Sequence, residues 1–169
     1  MRDLNTLPKA HLHLHFEGSA HLSTANAILA RTGGSLEIPE RWPSFEVFND
    51  AYASVVMAID GIGDLEQMAR EIVDDDAAAG VRYIEPIFLP MGYDERFGMT
   101  TDEVFDAITA AFRAAAAPYG IEVGFQIAGI WHFGTEHAER VAAFAVSRAD
   151  DGVVAFNLCG IEPTDYSPW

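Results

Sequence analysis

The chain has 169 residues, half of them apolar and 11% aromatic, which is enough to bury a core and too many for disorder. Its 26 acidic residues against 10 Lys plus Arg give a formal charge of −16, arguing against nucleic acid or an anionic membrane as partner, because both need clustered positive charge. The single Cys159 excludes an intramolecular disulfide framework and a Cys-rich zinc finger. With no run of about 18 apolar residues and no apolar N-terminal stretch, a soluble cytoplasmic protein is expected.

The chain opens on an alternating run, Ala10-His11-Leu12-His13-Leu14-His15-Phe16. Its period of two predicts a strand with Leu12, Leu14 and Phe16 on one face and the three histidines on the other. A helix is expected from about Ser23 to Thr32, capped by Ser23 or Thr24 and ended by Gly33-Gly34. Residues 35–43 read as a loop around Pro39 and Pro43. Ser44 then caps a helix to about Ile59, with Phe45, Phe48, Tyr52 and Val56 along one stripe. Asp64-Leu65-Glu66-Gln67 has capping-box spacing for the next helix, which buries Leu65, Met68, Ala69, Ile72 and Val73 and closes at Gly80.

A βα rhythm follows. Val81–Leu89 reads as a strand and Pro90–Met99 as a loop. Thr100-Thr101-Asp102-Glu103 opens a helix to about Ala117. Ile121–Ile130 is a largely apolar strand, Thr135 caps a helix to about Arg148, and Val153–Cys159 is a fourth strand. Gly160 to Trp169 reads as loop. Four strands separated by helices predict a parallel α/β sheet. There is no Gly-rich phosphate fingerprint or P-loop.

His13 and His15 carry the strongest chemical signal. Side chains at i and i+2 of a strand point the same way, roughly 7 Å apart at Cα, so two imidazoles can converge on one metal ion. The bland reading is a hydrogen-bonded or solvated pair, but in parallel α/β folds sites gather at C-terminal strand ends, where this pair lies. His132 reads as structural or solvated, His21 and His137 as helix-end or surface residues, and Asp74-Asp75-Asp76 as a solvated helix face. Asp94-Glu95-Arg96 reads as an exposed loop, Cys159 as a small buried residue, and Glu85 as either a satisfied charge or a site group.

The segment Leu7-Pro8-Lys9-Ala10-His11-Leu12-His13-Leu14-His15-Phe16-Glu17-Gly18-Ser19 resembles the opening of the adenosine deaminase family. Gly80–Pro90 and Val153–Glu162 are similar to that family's second and fourth strands. The resemblance spans essentially the whole chain. It implies a TIM (β/α)₈ barrel of which residues 1–169 supply the first four strands and their helices, since such barrels need about 250 residues. It also implies hydrolytic deamination of adenosine or a related amino-purine. His13 and His15 would be two ligands of a catalytic zinc. Glu17 would lie at the ribose end of the substrate beside Gly18, and Gly160 would approach the purine ring. The segment departs from the family pattern at His11, Glu17, Ile87, Trp131 and Asn157, where Glu, Asp, Arg, Arg and Asp are usual. The family's third zinc histidine, its proton-shuttle Glu and its Asp pair have no counterpart here. A small-molecule substrate is expected, with either the missing half or a second copy as partner. The alternative is a catalytically incomplete half-barrel that dimerises as a metal-binding or structural module. A phosphoesterase with several metals fits less well, because Lys and Arg are few.

Overall fold

The computed structural model describes residues 7–161. Strands β1 (Lys9–His15), β2 (Val81–Phe88), β3 (Glu122–Val123), β4 (Phe125–Ile130) and β5 (Val153–Cys159) form one sheet. Its order is β1-β2-β4-β5, with β3 also on β2, and every pair is parallel. The helices α1 (Leu22–Ala30), α2 (Phe45–Ala58), α3 (Ile62–Ala78), α4 (Asp94–Phe97), α5 (Thr101–Ala116) and α6 (Thr135–Ser147) lie between strands. No helix among these residues is long and apolar enough to cross a membrane.

Burial on one face of the sheet sets this arrangement. Phe16, Phe88 and Phe125 meet Phe105 and Phe112 of α5, with Phe16 and Phe112 at 4.9 Å between ring centroids. Leu65, Met68, Ile72 and Val73 of α3 and Val141 of α6 complete the core. The opposite face carries a polar chain. Tyr83 donates to Glu85 at 2.8 Å, Gln126 donates to the other Glu85 oxygen, and Asn157 donates to Gln126. That chain crosses β2, β4 and β5, so it satisfies the polar groups where the strands lie side by side.

Several local expectations hold. Ser44 caps α2 through the Val47 amide, and Thr100 and Glu103 form the full capping box of α5. Others are corrected. The expected third strand is two pieces, broken at Gly124, whose amide donates to the Ile84 carbonyl at 3.0 Å. Thr24 does not cap α1 but donates to Glu71 of α3 at 2.6 Å. Helix α3 begins at Ile62, and Asp64 pairs with Arg31 instead of opening a capping box. Gly134, not Thr135, is the cap of α6. The loop after β2 contains a 3₁₀ turn (Pro90–Gly92) and α4, ended by Gly98 at φ 64°. Phe45 and Phe48 are exposed, so that part of the predicted stripe of α2 faces outward, whereas Tyr52 and Val56 are half-buried and Val55 and Ala58 are the buried residues. Residues 162–169, which include Pro163 and Pro168 of the expected terminal loop, lie outside the described residues.

Candidate active site

The histidines of β1 do not share one face. The strand slips register against β2 between His11 and Leu14, and His13 stands at φ 62°. That is a β-bulge, which adds a residue and breaks the alternation. Leu14 and Phe16 stay in the core, while Leu12 is exposed. His11 turns to α3, where its Nδ1 lies 3.0 Å from Asp76. Asp76 is therefore a buried partner and not part of a solvated face. His13, within the bulge, and His15, just after it, meet edge to face at 5.1 Å between ring centroids. A non-glycine residue at positive φ carries strain, and such strain tends to collect at functional sites.

Burial, followed by the neighbouring His13, lowers the pKa of His15, and Glu17 opposes them. A neutral imidazole is the form that ligates zinc, so the donor chemistry fits. The set is partial. Among the described residues no group of three or more His, Cys, Asp or Glu side chains gathers as a metal would need. A catalytic zinc site takes three protein ligands and an open position.

Glu17 follows in a 3₁₀ turn and is only 7% exposed. Its Oε2 accepts from the Tyr52 hydroxyl at 2.7 Å, and its Oε1 accepts from the Tyr93 hydroxyl. Burial first, then the Glu17 charge, raises the pKa of both phenols. Gly18 lies against the same cluster, where a Cβ would come 3.2 Å from the Tyr52 ring. Tyr52 also stands edge-on to His15 at 6.5 Å between centroids. Neither tyrosine was foreseen as a site residue. In the sequence Tyr52 falls on one stripe of a predicted helix, and Tyr93 in the predicted loop Pro90–Met99.

Gly160 ends β5 at φ 91°, and a Cβ there would lie 3.5 Å from His132 Nδ1. These two residues form a second group at the same end of the sheet. Cys159, next to Gly160, has its thiol pKa raised by burial and then by Glu17, so it remains a thiol and not a nucleophile. His137 lies in the first turn of α6, so of its two readings the helix end holds and the surface does not. It is buried, and its Nε2 accepts from the Ile130 amide at 3.2 Å. Arg96 is exposed as expected but belongs to α4 and not to a loop, and it donates to the Val56, Met57 and Ile59 carbonyls at the end of α2. A cleft of about 590 Å³ lined by Leu89, Asp94, Arg96, Thr101, His137 and Arg140 contains none of the expected site residues.

Candidate histidines at the C-terminal end of a strand, in a parallel sheet with helices between its strands, are the arrangement in which α/β folds gather their sites. The family model described as adenosine deaminase matches residues 8–167, and the chain belongs to that family. It is 28% identical over 176 residues to an adenosine deaminase of Clostridium perfringens, covering 97% of this chain and 53% of that protein. An adenine deaminase of Sinorhizobium fredii is 32% identical over 161 residues, covering 92% and 49%. The Arabidopsis N6-mAMP deaminase superposes with a TM-score of 0.80 at 22% identity, over 98% of this chain and 54% of that one. A zinc-bound amidohydrolase from Burkholderia ambifaria gives 0.74 at 21% identity, over 95% and 46%. The chain thus spans about half the length of the relatives it matches, and its fold is that of the corresponding part of their TIM barrels.

Proposed function

We propose that residues 1–169 form the N-terminal half of a zinc-dependent hydrolytic deaminase that acts on adenosine or a related amino-purine and releases ammonia. The observation that carries this reading is the facing pair His13 and His15, within and just after the bulge of β1. The family match and the neutral state favoured at His15 support it. His13 and His15 would hold the metal together with ligands from outside this chain. When bound, zinc supplies a water acidic enough to act as nucleophile near neutral pH.

This chain's own residues do the rest of the positioning. The irregular stretch of β1 leaves the His13 and His15 rings side by side, edge to face. Glu17 and Gly18 border them, and Gly160, at positive φ, lets the backbone come close to a flat ring. A charge of −16 suits a small uncharged purine and disfavours polyanions.

The test is ammonia release from a panel of amino-purines by the full-length protein, with zinc measured in the same preparations. His13→Ala is expected to reduce zinc content and turnover together. If both survive that change, the metal assignment is wrong.

A further inference from the structure

Among the described residues one buried side-chain oxygen has no hydrogen-bond partner, Oε2 of Glu71 on α3. The other oxygen of that carboxylate accepts from the Thr24 hydroxyl of α1 at 2.6 Å and from the Gln67 amide at 3.0 Å. A buried polar atom left alone calls for a donor. One stands 3.7 Å away, at Nδ1 of His21, the N-cap residue of α1. The other nitrogen of that ring, Nε2, lies 2.9 Å from Asp75. Glu71 and Asp75 are one turn apart on α3, so a single imidazole spans two acids of the neighbouring helix. They approach different ring nitrogens, which makes a bridge and not a chelate.

A neutral ring cannot serve both acids. It carries one N–H, and only the imidazolium donates from both nitrogens. A neutral His21 that donates to Asp75 leaves Glu71 Oε2 alone. The charges around the ring favour the cation. The Asp75 hydrogen bond, opposed by slight burial and joined by the Asp75 and Glu71 charges, raises the pKa of His21. Burial raises that of Glu71, but Thr24 and Gln67, then the His21 charge and amide, hold it below its ordinary range. Both acids come from α3. Helix α1 itself, Leu22–Ala30, carries no charged side chain, and Asp76 is turned to His11. A cation at a helix N-terminus is otherwise disfavoured, so the two acids decide the matter. We propose that His21 is a pH-sensitive latch, which as imidazolium bridges Asp75 and Glu71 and fastens the start of α1 to α3. The turn Glu17–Ser19 lies between this latch and His15, and Ser19 donates to the His15 carbonyl at 2.8 Å. The latch therefore also steadies the connection leading out of β1. A histidine pKa raised on folding gives stability that is complete below its ordinary 6.5 and is lost as pH rises through the folded value. A lowered Glu71 pKa gives stability present above its ordinary 4.5 and lost as pH falls through the folded value. The latch is thus closed between those two values and opens on the alkaline side.

The test uses the full-length protein and double-mutant cycles of His21→Ala with Glu71→Gln and with Asp75→Asn, each unfolded in urea at about pH 6 and pH 8.5. The His21 side chain makes no capping hydrogen bond in α1, so alanine there removes the bridge without removing a cap. At pH 6 each cycle should show a coupling of about threefold in the unfolding constant, the scale of an exposed ion pair, and at pH 8.5 the Glu71 coupling should vanish. Hydrogen exchange gives a local reading that does not need reversible unfolding. The Ala25 amide donates to the His21 carbonyl at 2.9 Å. Its protection, corrected for the intrinsic effect of pH, should fall about threefold from pH 6 to pH 8.5 in the unsubstituted protein and stay level in His21→Ala. A Glu71 coupling that is absent at pH 6, or equal at both pH values, overturns the proposal. So does Ala25 protection that falls equally in the protein and in His21→Ala. Coupling to Asp75 alone overturns the bridge, because it leaves His21 in a simple pair. None of these outcomes depends on the reaction the protein catalyses.

Discussion

At the residue scale, His13 has the sharpest consequence. Its φ of 62° lies in the left-handed region, which costs a side chain with a Cβ roughly 1 kcal/mol and costs glycine nothing. The chain tolerates this because the bulge re-aims the imidazole toward His15. His13→Gly and His13→Ala remove the same proposed ligand, but only the first also removes the strain. The metal-free glycine variant should therefore be more stable than the alanine variant by about 1 kcal/mol in urea unfolding, while both lose zinc. An alanine variant as stable as the glycine one would mean that the strained bulge is absent. The His-x-His pair was legible because its signal is local, two like side chains at fixed spacing. The bulge was not, since alternation alone places His11, His13 and His15 together and only the pairing with β2 reveals the extra residue. Glu17 was legible by its position beside them. Its tyrosine partners were not, because they lie 35 and 76 residues away along the chain.

At the element scale, most of the fold was readable where hydrophobic period and capping agreed. Helix α5, with its capping box and its buried Val104, Phe105, Ile108 and Phe112, is the clearest case. Errors fall where tertiary contacts outbid a local signal. Asp64 serves Arg31, and Thr24 serves Glu71, so neither caps a helix. The break between β3 and β4 has a similar origin. At Gly124 a Cβ would collide with the Tyr83 hydroxyl and come within 3.1 Å of both Val154 methyls. That hydroxyl is committed to Glu85, and burial followed by that bond pushes the phenol up to about 12. Gly124→Ala should thus destabilise the protein by about 2 kcal/mol, the usual scale for overpacking. In a Tyr83→Phe background the hydroxyl is gone, so the same substitution should cost less. A double-mutant cycle with urea midpoints measures the difference. Strict additivity would show that the close approach at Gly124 does not shape the strand.

At the scale of the whole molecule, the sheet is open on two sides. Among the described residues β1 pairs only with β2, and β5 only with β4. Leu12, Val154 and Phe156 are exposed along these strands, at 55%, 54% and 37%. Four-stranded order and helix alternation were legible from sequence, and so was the shortfall against a full barrel. What closes the open edges was not, because among the described residues no strand pairs with the free sides of β1 and β5. An unpaired edge strand with apolar side chains is a template for pairing. Residues 1–169 expressed alone should therefore self-associate, with a light-scattering mass above the 18.4 kDa of one chain. Each chain carries a charge of −16, so association is opposed by repulsion and should strengthen as salt screens it. Phe156→Glu and Val154→Glu add charge at the edge and should weaken it. A discrete dimer with bound zinc and no deaminase activity would favour a self-contained half-barrel. A distribution of larger species, abolished when the remainder of a full-length protein is present, would favour half of one barrel. A monodisperse monomer at every salt concentration would mean that neither edge is available for pairing.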